Sequence, residues 1–138
     1  MKLNLLGPLE KLDAWSARSW LALRILLACF IAAHGWARLV VGGVEPFGGW
    51  LGSQGIPGGF LIACLITAVE IVGTPLFALG FVVLPLSLVY SFIYLVGVIL
   101  VHAPEGWFVV GLGRNGAEYS VLLICCLVLV GIQHRKRE

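Results

Sequence analysis

Hydrophobic positions form four long runs in this chain, broken by very few charges and punctuated by glycine and proline. The first, Trp20 to Val41, is long enough as a helix, at about 1.5 Å per residue, to cross a hydrocarbon core of roughly 30 Å. Phe60 to Leu79, Leu84 to His102 and Ala117 to Ile132 repeat the pattern. It predicts an all-α integral membrane protein, a four-helix bundle with an amphipathic N-terminal interfacial segment. In that segment Gly7-Pro8 suits a helix start, and Leu9, Leu12, Trp15 and Ser19 fall on one side. A short helix lying in the membrane interface is expected, with a frayed polar tail as the alternative. The division is residues 1–19 for this segment, 20–132 for the bundle and 133–138 for a basic tail.

The connections differ in kind. Gly42 to Gly59 holds eight glycines, Pro46 and Pro57. Glycine and proline argue against a continuous helix there, so an apolar loop that dips into the headgroups or caps the bundle is expected. Gly80 to Pro85 is short enough to make the second and third spans an antiparallel hairpin. Ala103 to Ala117 reads as a polar loop.

Composition narrows the class. The chain has 138 residues, 60% hydrophobic and 12% charged, with mean hydropathy +1.03. A soluble domain of this length has too little interior for so much apolar surface. A net charge of +2 gives no electrostatic footprint for nucleic acid. Cys29, Cys64, Cys125 and Cys126 lie in apolar runs without C-x-x-C spacing, so neither a disulfide framework nor a metal site is expected. Cys125 and Cys126 are adjacent on a helix and point about 100° apart, poor geometry for a bridge. Lys2, Lys11, Arg18, Arg135, Lys136 and Arg137 crowd the two ends, whereas Arg114 stands alone on the opposite side. The positive-inside rule then places both termini in the cytoplasm.

The candidate chemistry lies in the polar residues that interrupt the spans. Arg24, His34 and Arg38 sit in the first, Glu70 in the second, Tyr94 and His102 in the third, and Glu118 opens the fourth. Intramembrane ionisable groups commonly face a bundle interior or a water-filled cavity. By depth, all but Arg24 of the charged and histidine residues fall in the outer half. Glu70 shares a small face with Ala63, Thr67 and Gly73, so it should point inward and meet His34 or Arg38 on the first span. The bland alternatives are snorkelling for Arg38, His102 and Glu118, a helix-packing ion pair for Arg24, and apolar filling for the cysteines.

Taken in order, these residues resemble the DoxX family of small four-helix membrane proteins. The resemblance covers Arg24 to Gly131. It rests on Arg24 with His34-Gly35 and Arg38, then Trp50-Leu51, Gly55-Ile56-Pro57, and Glu70 with Gly73. It continues through Leu79-Gly80, His102, Gly106-Trp107-Phe108, Gly116 and Glu118-Tyr119. Two features depart from the family pattern: the turn between spans two and three lacks a basic residue, and the tail is basic.

The family resemblance implies an accessory subunit of a membrane redox system in the bacterial cytoplasmic membrane. Any enzymatic role would be as part of a quinone-linked oxidoreductase. The residue types suit a quinone headgroup, with His34, Arg38, Glu70, Tyr94, His102 and Glu118 as ligand-binding candidates and Glu70 as candidate proton carrier. Haem is disfavoured because His34 and His102 lack a diagnostic context. The implied partners are the lipid bilayer, a membrane or periplasmic protein, and a second copy of the chain. The competing reading is a non-catalytic scaffold whose polar cluster only fixes helix packing. A small transporter is a third, weakened by the lack of an evident repeat.

Overall fold

No glycine or proline separates the amphipathic lead from the first apolar run, and the two form one helix. In the computed structural model, which describes residues 6–110 and 115–135, α1 runs from Leu6 to Val40 without a break. The short helix expected there is therefore continuous with the helix of the first apolar run. Its start, with Pro8 in the first turn, agrees with the proline having no helical acceptor to lose there. The expectations for residues 1–5, the side chains of Leu9 and Leu12, Arg114 and residues 136–138 lie outside what is described.

The glycine-rich connection is also a helix, α2, Val44–Ser53, which corrects the loop expected there. Pro46 and Glu45 lie in its first turn, where a missing N–H is harmless and a carboxylate suits the helix dipole. Gly48 is there for approach rather than flexibility: a Cβ on it would lie 2.6 Å from the Phe60 Cα. The helix is thus pinned to the start of the next one.

Three further helices complete the bundle: α3 (Gly59–Leu79), α4 (Val83–Glu105) and α5 (Glu118–Arg135). Together with α1, four helices are long and apolar enough to cross a membrane. The boundaries run past the apolar runs, to Glu105 in α4 and to Arg135 in α5. Gly80, at φ 95°, turns the chain between α3 and α4. Two stretches are wound as π-helix, Val69–Gly73 in α3 and Val98–His102 in α4. Such turns cannot be read from apolar periodicity, and they recur at functional sites.

Helices α1 and α3 pack antiparallel. Arg24 lies beside Gly80, Gly35 faces Glu70, and Arg38 reaches Thr67. The face of Ala63, Thr67, Glu70, Gly73 and Thr74 is buried throughout. Helix α4 packs chiefly on α5, where Gly131 sits against Ser87. The apolar core fills the half of the bundle away from α2. Ile31, Phe77, Val83, Tyr90 and Leu127 are its fully buried members, with Phe77 and Tyr90 edge to face at 5.9 Å. Leu65, Val72, Phe92, Ile99 and Leu122 point outward, as helix surfaces in lipid require. All four cysteines are free thiols.

Candidate functional site

Glu70 is the residue around which the other half of the bundle is built. It is 3% exposed, and a carboxylate so placed needs a partner. Arg38 supplies it: its Nη1 donates to Glu70 Oε2 at 2.6 Å and to Thr67 Oγ1 at 3.1 Å. The Thr67 hydroxyl in turn donates to the Ala63 carbonyl at 2.7 Å. The Arg38 guanidinium also lies over the Phe47 ring, 4.5 Å from its centroid, a cation–π contact that covers its other face. Phe47 is stacked on Trp50, so α2 roofs the ion pair with two aromatic rings.

The π turn explains how Glu70 reaches this position. Winding Val69–Gly73 more widely changes the direction of the side chain and disturbs the carbonyl ladder. Two hydroxyls attend to the carbonyls concerned. Thr74 Oγ1 donates to the Glu70 carbonyl at 2.8 Å, and the Tyr90 hydroxyl donates to that of Val69 at 3.0 Å. A Cβ on Gly73 would lie 2.5 Å from the Tyr90 oxygen, so the glycine makes room for that bond.

Beside the pair lies a cavity of about 460 Å³, within the usual range for small-molecule sites. His34, Arg38, Glu70, Tyr94 and His102 supply its polar groups, and Trp50, Ile66 and Leu100 are among its apolar walls. Phe92, also on the wall, is 67% exposed, so the cavity reaches the lipid-facing surface of the bundle. His34 and Tyr94 meet edge to face with centroids 6.3 Å apart. The Tyr94 hydroxyl is buried and has no hydrogen-bond partner among the described residues. His102 Nδ1 lies 2.9 Å from the Asn115 carbonyl. A carbonyl only accepts, so Nδ1 is the donor in this contact.

Of the candidates drawn from sequence, His34, Arg38, Glu70, Tyr94 and His102 therefore converge, and two do not join them. Glu118 does not line the cavity; its Oε1 accepts from the backbone N–H groups of Val109 and Val110, at 3.0 and 3.4 Å. It pins the α4–α5 connection, which residues at a helix N-terminus are well placed to do. Arg24 makes no carboxylate ion pair among the described residues. Its Nη1 lies 3.3 Å from His134 Nδ1, because α5 continues past Ile132 and carries that histidine back to α1. Sequence reasoning missed Phe47 and Thr67 as parts of the site. The small-face spacing held the signal for Thr67. Phe47 was hidden in a stretch whose glycines argued against a helix.

No curated protein and no solved structure matches the chain. The family model of DoxX matches residues 19–103, which include α2, the Arg38–Glu70 pair and every polar residue of the cavity. This chain belongs to the DoxX family.

Proposed function

We propose that this chain is an accessory subunit of a membrane redox system and that its outer cavity holds the ring of a quinone-like lipid. The observation that carries the reading is the Tyr94 hydroxyl, buried without a partner among the described residues on the wall of a largely apolar cavity. A buried donor left unsatisfied costs about 1–3 kcal/mol, which a ligand carbonyl would recover. Flat aromatic and aliphatic walls suit a ring, and the opening beside Phe92 suits an isoprenoid tail lying among lipids. A bound quinone would supply two-electron carrier chemistry.

Within this reading Tyr94 donates to the ring, and His102 and His34 flank it. Arg38 is fixed by Glu70 and Thr67 and stands on the cavity wall. The closed pair weighs against Glu70 as a proton carrier, because protonating it would strand the Arg38 charge; we assign it the part of a fixed counter-ion. The expected setting is the bacterial cytoplasmic membrane with both termini cytoplasmic. The redox partner is then a membrane protein or a periplasmic one. That Arg38 and Glu70 satisfy each other inside the chain also favours a second reading, a scaffold with a structural polar core.

Tryptophan fluorescence separates the two. In nanodiscs, a short-chain quinone should quench Trp50 saturably, and Trp50→Phe should remove that component. Tyr94→Phe should weaken binding up to about tenfold, the worth of one hydrogen bond. Quenching that never saturates, or that ignores Tyr94→Phe, would contradict the quinone site and favour the scaffold.

A further inference from the structure

The opposite end of the bundle carries a second cavity, of about 290 Å³, between α1 and α5. Arg18, Trp20, Arg24, Gln133 and His134 line it. Arg24 stands level with the Gly80 turn, which joins α3 to α4, and with the end of α5. That level, where α3 and α5 end, is the edge of the bundle. Arg18 lies about 9 Å further along α1, beyond that edge.

The charges here are not balanced within the described chain. Arginine can only donate, so His134 Nδ1 is the acceptor in this contact. The contact therefore leaves the guanidinium charge in place. Arg24 Nε is buried and makes no hydrogen bond. Among the described residues the lining holds no carboxylate, and the Arg18 guanidinium lies over the Trp15 ring, 5.7 Å from its centroid. Gly80 keeps the guanidinium seated, since a Cβ there would lie 3.3 Å from its Nη2. Two arginines with no carboxylate partner among the described residues, an amide and an indole thus line one recess beside the end of α5.

We propose that this recess binds a phosphate ester, presented by an anionic phospholipid of the adjacent leaflet. The planar guanidinium fork matches phosphate oxygens. Trp20 suits the headgroup boundary, where indole rings collect. An anionic leaflet concentrates such groups beside basic helix ends. Arg135, exposed at the end of α5, lies outside the lining and adds only diffuse charge.

Native mass spectrometry of the full chain in detergent tests this with phosphatidylglycerol, phosphatidylcholine and inorganic phosphate as probes. Phosphatidylglycerol should be retained in preference to phosphatidylcholine. Arg18→Gln and Arg24→Gln should each lower that affinity roughly fivefold, whereas Arg135→Gln should leave it nearly unchanged. Arg18 is exposed, so its variant reads binding even if Arg24→Gln folds poorly. Equal retention of the two lipids, or equal losses in all three variants, would overturn the site. Binding of inorganic phosphate without a lipid preference would overturn the lipid as its source.

Discussion

Arg38→Met is expected to cost on the order of 3 kcal/mol of stability, because it removes one member of a buried ion pair and leaves the other. Glu70 is 3% exposed and has no second cation at hydrogen-bond distance among the described residues. Part of the cost can be relieved by protonating the carboxyl, which is why the effect is not larger. The double variant Arg38→Met/Glu70→Met should recover most of the loss, since two apolar side chains of similar volume need no partners. Chemical denaturation in detergent, scored on a double-mutant cycle, reads the coupling. Equal losses in the single and double variants would show that the pair does not hold α1 to α3.

Gly35→Val is expected to follow at about 1–3 kcal/mol, the usual cost of overpacking. A Cβ at Gly35 would lie 2.8 Å from the Glu70 Cβ and 3.0 Å from Ile71 Cγ1. Both contacts are to the stem of a buried helix, which cannot swing away like the end of a long side chain. The two helices must separate or slide, and the 2.6 Å bond between Arg38 and Glu70 must lengthen. The distinguishing result is non-additivity. In a background already lacking the ion pair, Gly35→Val should cost clearly less. A full, unchanged cost there would mean that close packing and the ion pair are independent.

Much of this architecture was legible in the sequence, for identifiable reasons. Length and apolarity alone marked the four spans, because lipid leaves little choice but helices. The face of Ala63, Thr67, Glu70 and Gly73 was visible as helical spacing, and it is the face that packs on α1. Arg38 could be named as a partner because it lies on the same side of α1 as His34 and at matching depth. The α2 helix was not legible, because Gly48 looks like a breaker until Phe60 is seen against it. The π turns left no trace in the pattern, so the aim of Glu70 and the tie from Tyr90 to Val69 emerged only in three dimensions. Glu118 was grouped with the cavity residues for a similar reason: the backbone of Val109 and Val110, which brings two donors to it, left no signature in the pattern. Arg24 needed the last turn of α5, which a hydropathy boundary at Ile132 cut off.

The cavity beside the Arg38–Glu70 pair is the centre of the functional account, and the most direct test is to identify what it holds in a native membrane. Protein purified gently from its own membrane should be extracted and its bound lipids quantified by mass spectrometry. An isoprenoid quinone is expected in stoichiometric amount with the unaltered chain and at a strongly reduced level with Tyr94→Phe. A preparation that carries only phospholipid, or carries equal quinone with and without the Tyr94 hydroxyl, would contradict it.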